Sequence, residues 1–140
     1  MRTWVFDSTL LIYLGKVRLL ELIQKLPVRK VIPASVYQEV VAEGKKQGIN
    51  DAFYVDSLIK KNVFEVIEVK ETLSSLHENP NLALAEIDVL SLAKQLQGIA
   101  LLDDNEARLA ADVLHIKKGG SIFILFFLLK NKIITRQQAR

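Results

Sequence analysis

The chain contains no cysteine and only two histidines, His77 and His115. The first absence excludes disulfides, zinc–thiolate centres and thiol nucleophiles together, and it agrees with a reducing cytoplasm. The second leaves too few imidazoles, too far apart in sequence, to build a histidine metal site, so both are read as structural or exposed. Also missing are a Gly-rich phosphate loop, a serine nucleophile elbow and an HExxH helix. The longest apolar run, residues 122–129, is eight residues long, whereas a bilayer crossing takes about 20, so no membrane span is expected. The opening Met-Arg-Thr-Trp-Val-Phe-Asp lacks the apolar core of a signal peptide, and a cytoplasmic protein is the expectation.

What is present describes one globular domain over residues 1–140. Half of the residues are hydrophobic and a quarter are charged, the balance of a chain that buries a core of its own. A net charge of +3 and a pI near 9.2 leave room for a polyanionic partner. The basic clusters Lys45-Lys46, Lys60-Lys61, Lys117-Lys118 and Lys130, Lys132, Arg136 and Arg140 are read mostly as solvated helix ends.

Short β-branched or aromatic runs at 3–6, 30–32, 63–69 and 99–102 alternate with helical patterns. That alternation predicts an α/β fold with a mainly parallel central sheet flanked by helices. Leu11, Leu14, Leu19, Leu20, Ile23 and Leu26 give 9–26 a helical period, broken at Gly15. Pro33 suits a first helical turn, and that helix is expected to run to Glu43 and stop at Gly44. Asn50 and Asp51 read as an N-cap for a helix sending Phe53, Leu58 and Ile59 to the core. A short helix and a turn are expected over 71–81, and a helix over 82–97 with Gly98 as its stop. Asn105 caps a helix through Leu114, and Gly119-Gly120-Ser121 opens the last one.

In open parallel sheets, ligands bind beyond the carboxyl ends of the strands. Two of the predicted strands end in acids: Asp7 after the first and Asp103-Asp104 after the last. Each has a plain alternative as a helix cap. Glu39 borders the apolar stripe of the helix that follows Pro33. Glu86 and Asp88 begin the fourth long helix, where acids also complement the helix dipole. Taken together, and without thiols or enough imidazoles, these acids form an all-oxygen donor set of the kind that selects Mg²⁺ or Mn²⁺. Gathered carboxylates repel one another unless a cation neutralises them.

Four stretches carry a resemblance to a known family: Val5-Phe6-Asp7-Ser8-Thr9-Leu10-Leu11-Ile12, Val31-Ile32-Pro33-Ala34-Ser35-Val36-Tyr37-Gln38-Glu39, Ala85-Glu86-Ile87-Asp88-Val89-Leu90-Ser91-Leu92-Ala93, and Leu101-Leu102-Asp103-Asp104-Asn105-Glu106-Ala107-Arg108. In order and spacing the chain resembles a PIN domain, most of all the compact prokaryotic branch related to VapC-type toxin ribonucleases. Gly120-Ser121 followed by Ile133-Ile134 is a weaker fifth match. The resemblance implies a parallel sheet between helices and RNA cleavage that depends on Mg²⁺ or Mn²⁺. It also implies frequent dimerisation and, for a toxin, a small antitoxin partner. It puts catalytic and metal-binding roles on Asp7, Glu39, Asp88 and Asp104, makes Glu86 and Asp103 supporting acids, and gives Thr9 an orienting role. The sequence departs from the pattern at Ala85, where a glycine is common, at Asp88, where glutamate is common, and along the last helix, where Phe123, Phe127 and Leu129 replace glycine or basic residues.

The expected activity is therefore that of a metal-dependent endoribonuclease, and the alternative is a catalytically silent RNA- or protein-binding module on the same fold. Aspartyl-phosphate chemistry fits less well: a receiver carries its acid pair after the first strand, and an aspartate-nucleophile phosphatase wants an acid where Thr9 stands. A helix apolar all round at 122–129 predicts a homodimer, with Phe123 and Phe127 as the contact.

Overall fold

Trp4, Val5 and Phe6 are wholly buried, and their aromatic and β-branched side chains favour the extended chain that becomes the central strand. In the computed structural model, which describes residues 2–131, that strand is β1 (Thr3–Phe6). β2 (Arg29–Pro33) pairs with one side of it and β4 (Ile99–Leu101) with the other, both parallel. β3 (Glu65–Ile67) and β5 (Lys117–Gly119) complete a five-stranded, all-parallel sheet in the order β3-β2-β1-β4-β5. After β3 the chain crosses back over the sheet to β4, so the strand order reverses between β1 and β4. Such a switch point leaves a crevice at the carboxyl ends of the two strands.

Helices fill the connections: α1 (Ser8–Lys16), α2 (Leu20–Ile23), α3 (Ala34–Tyr37), α4 (Glu43–Lys46), α5 (Asn50–Lys60), α6 (Leu84–Leu96), α7 (Asn105–Val113) and α8 (Ser121–Lys130), with a 3₁₀ turn at Ser74–Glu78. α6 packs against β1, β2 and β4, burying Val89, Leu90, Leu92 and Ala93. No helix among the described residues is long and apolar enough to cross a membrane.

Several expectations need correction. The break in 9–26 falls not at Gly15, which lies inside α1, but at Arg18, whose φ is 61°. Pro33 closes β2 with extended backbone instead of entering a helix. Gly44 does not end the following helix, which continues through a π-helical turn at Gln38–Ala42 into α4. There Gly44 permits close packing on α5, since a Cβ on it would lie 2.6 Å from the Cβ of Ala52. Ile49, not Asn50, holds the N-cap position of α5, and Phe53 points outward with Lys45 over its ring. The N-cap of α7 is Asp104 rather than Asn105. Lys117 and Lys118, expected at a helix end, form the edge strand β5.

On α8 the proposed contact pair is misplaced. Phe123 and Phe127 pack on Trp4, with ring centroids 5.6 and 5.2 Å away, because they share the face that covers the sheet. Ile122 and Phe126 are the exposed pair, at 81% and 68%. Ile133 and Ile134, and the basic Lys132, Arg136 and Arg140, lie outside the described residues.

Candidate active site

The register sets Phe6 beside Leu101, and the Asp7 amide donates to the Leu101 carbonyl at 3.0 Å. The first residues beyond β1 and β4 therefore lie side by side. A cleft of about 430 Å³ opens there, lined by Asp7, Ser8, Thr9, Glu39, Ala83, Ala85, Glu86, Asp103 and Asp104. Five of the acids expected at the site share this one depression, contributed by both strand ends, the helix after β2 and the start of α6.

The two strand-end acids are held differently. Asp7 occupies the N-cap position of α1, yet its side chain makes no capping hydrogen bond. Asp104 does cap: its Oδ2 accepts from the Ala107 amide at 3.0 Å, which leaves Oδ1 for the cleft. Glu39 is carried on the π-helical turn, whose wide register is a feature frequently found at functional sites. Nothing in the residue types announces that turn, because its signal is a shift of backbone hydrogen bonds. Glu86 reaches back to the Ala83 amide at 2.9 Å, which steadies it on the first turn of α6.

Asp88 is not brought to this cleft. It accepts from the Ser35 hydroxyl at 2.6 Å and ties α6 to α3. The reason is helical geometry: residues two apart on an α-helix point about 200° away from each other, so the helix that aims Glu86 at the cleft turns Asp88 aside. Glu86, expected as a support, is the α6 acid that lines the site.

Burial, then the charge of Glu86 and after it that of Glu39, push the Asp7 carboxyl up to about 6 against the pull of the Ser8 and Thr9 amides. Glu86 is also raised, by burial and by Asp104 and Glu39. Among the described residues, none of Asp7, Glu39, Glu86 and Asp104 forms an ion pair, whereas Glu43, Asp56, Glu65 and Asp112 all do. Ser8 adds a buried hydroxyl without a hydrogen-bond partner.

These residues suit a hard divalent cation: all donors are oxygen, and among the described residues no cationic side chain pairs with them. Among the described residues no three acid or histidine side chains already stand close enough together to hold an ion, so binding one calls for the carboxylates to draw in. His77 bonds Thr72, and His115 sits at the end of α7 in the left-handed backbone region. Neither lines the cleft.

A parallel α/β sheet with an acidic crevice at its switch point defines the class. The chain belongs to the PIN-domain family, whose model, described as DUF3368, PIN domain, matches residues 3–140. Members of that family are generally nucleases, usually use a divalent metal and generally bind RNA. Among solved structures the chain is similar to a domain of a functionally unknown protein from Methanocaldococcus jannaschii DSM 2661, at 15% identity and a TM-score of 0.58, with 86% of this chain and 91% of that one covered. No curated protein matches the chain.

Proposed function

We propose that the chain is a Mg²⁺- or Mn²⁺-dependent endoribonuclease whose site consists of Asp7, Glu39, Glu86 and Asp104. The observation that carries this reading is the convergence of four acids without ion pairs on one cleft between β1 and β4, one of them with its carboxyl pushed up to about 6. Carboxylates left in mutual repulsion gain stability from a cation and lose it without one. Asp7, Glu86 and Asp104 would hold a divalent ion, which would supply positive charge beside a phosphate oxygen and make water a better nucleophile at neutral pH. Glu39 orients the attacking water, and Thr9 steadies Asp7 from the next turn of the chain. Water oxygen bonds to phosphorus, the bond to the 3′ oxygen breaks, and the products carry a 5′-phosphate and a 3′-hydroxyl. Asp88 serves the site at one remove, by fixing α6 on Ser35.

The test is cleavage of an end-labelled single-stranded RNA. Mg²⁺ or Mn²⁺ supports it, EDTA stops it and added metal restores it. Cleavage that survives exhaustive chelation overturns the reading. A second reading, a silent RNA- or protein-binding module, is favoured by one observation: the acids are not already gathered at ligand distances. RNA binding with no cleavage in either metal would select it.

Two finer assignments rest on the resemblance. One is a VapC-type toxin with a small antitoxin, which a neighbouring antitoxin gene would support. The other is a homodimer in the cytoplasm, for which the exposed Ile122 and Phe126 on α8 offer the apolar contact.

A further inference from the structure

We infer that Asp103, although it lines the acidic cleft, is a positioning residue and not a cation ligand: it clips the start of α8 to the end of β4 and so fixes the segment that presents Asp104. The Oδ1 of Asp103 accepts from the Ser121 amide at 2.9 Å, capping α8 from another strand. Gly120, the N-cap residue of α8, supplies no capping side chain of its own. It leaves the space that Asp103 occupies, since a Cβ on Gly120 would lie 2.2 Å from that same Oδ1. Its φ of −126° is open to any residue, so the need for glycine here is one of room and not of backbone strain.

The clip is one of several ties on the same short segment. The Leu102 amide donates to the Gly119 carbonyl at 2.9 Å, and the Leu102 carbonyl accepts from Nη1 of Arg108 at 3.3 Å. Asp104 accepts from the Ala107 amide. With Asp103 these anchor residues 102–104 to β5, α7 and α8 together, and Asp104 is the acid that this anchoring delivers to the cleft. Binding an ion through the Oδ1 of Asp103 would uncap α8.

This inference rests on the cation reading above only for its affinity readout. The experiment compares Asp103→Ala, Asp103→Asn, Asp104→Asn and Gly120→Ala by Mn²⁺ titration calorimetry, and by thermal unfolding in EDTA. Asp103→Ala is expected to lower Tm by about 3–6 °C and to weaken Mn²⁺ binding about 10-fold through a displaced Asp104. Asp103→Asn keeps a carbonyl oxygen for the Ser121 amide and is expected to stay within about twofold of wild type. Gly120→Ala is expected to lower Tm and Mn²⁺ affinity as Asp103→Ala does, and to cost less in the Asp103→Ala background than alone, because the nearer of the two atoms it strikes is then gone. The added Cβ also lies 2.9 Å from Nη1 of Arg108, so the bond of that group to the Leu102 carbonyl loosens in both backgrounds, and the coupling between the two substitutions isolates the clip.

Loss of Mn²⁺ affinity in Asp103→Asn as deep as in Asp104→Asn would make Asp103 a ligand and overturn the inference. A fall in Tm with Mn²⁺ affinity untouched in Asp103→Ala would reduce it to an ordinary cap and overturn the positioning role, and additive effects of Gly120→Ala would overturn the clip. Should Asp7→Asn bind Mn²⁺ as tightly as wild type, it is the cation reading that fails, and the Tm cycle in EDTA decides the clip by itself.

Discussion

Asp7 and Asp56 are nearly equally buried, at 4% and 7% exposure, and they are treated in opposite ways. Asp56, on α5, receives the Nζ of Lys45 at 2.5 Å and that of Lys60 at 3.2 Å, and those bonds hold its carboxyl below the usual carboxylate range despite burial. Asp7 has burial and two acidic neighbours acting on it and no cation beside it, and its carboxyl rises to about 6. Solvent exposure alone does not separate the two residues. What surrounds them does: one charge is satisfied within the fold and stabilises the packing of α4 on α5, while the other is the one proposed to meet a divalent cation. Buried charge without a partner is costly, so a protein keeps it where a ligand completes it.

The largest effect that would break this contrast is in activity. Asp7→Asn is expected to reduce metal-dependent RNA cleavage by about 100-fold or more, since it removes a ligand charge while keeping the shape, whereas Asp56→Asn leaves the cleft intact and the rate close to wild type. Both are read in single-turnover cleavage assays with Mn²⁺.

Stability should move the other way. With its folded pKa raised from 3.8 to about 6, Asp7 binds its proton more tightly in the native state. Its contribution is fully present below about pH 4 and is lost as pH rises through about 6. The metal-free protein should therefore gain stability on acidification across that window. Asp7→Asn should be more stable than wild type at pH 7, by up to about 3 kcal/mol. Asp56 has the opposite sign. Its stabilisation is present above its unfolded pKa and fades as pH falls through its lowered folded value, and Asp56→Ala should cost about 1–3 kcal/mol at pH 7. Urea denaturation in EDTA at pH 4.5 and pH 7 reads all three, and an Asp7→Asn protein less stable than wild type at pH 7 would erase the contrast.

A smaller effect sharpens the site. Glu86→Gln should weaken Mn²⁺ binding about 10-fold or more, and Asp88→Asn should do so by less, acting mainly on stability through the lost partner of Ser35. Equal losses would bring Asp88 back among the ligands. Smallest, Phe126→Lys should shift a homodimer toward monomer in light scattering while the fold survives. Phe127→Lys should lower Tm instead, because its ring packs on Trp4. An unchanged mass for both variants and for wild type across a dilution series would remove the dimer.

Much of this was legible in the residues. β1, β2 and β4 carry short buried apolar runs, and the acids that follow two of them fall where a parallel sheet places its ligands. β5 was not legible, because Lys117-Lys118-Gly119 has no apolar period. It becomes a strand only because β4 offers an open edge. The π-helical turn under Glu39 leaves no mark on composition. That Glu86 and Asp88 face different ways follows from the helix angle alone, and only the structure shows which of them lines the cleft. Sequence places Phe123 and Phe127 at a dimer contact because an all-apolar helix does not declare which face meets the sheet, and packing on Trp4 decides it.

The central claim is that Asp7 is left uncompensated for a cation. Its most direct test is calorimetric titration of Mn²⁺ into metal-free wild type and Asp7→Asn at pH 7, where the account predicts saturable binding by wild type that is at least about 10-fold weaker in Asp7→Asn. Equal affinity in the two proteins, or no binding by wild type, would contradict it.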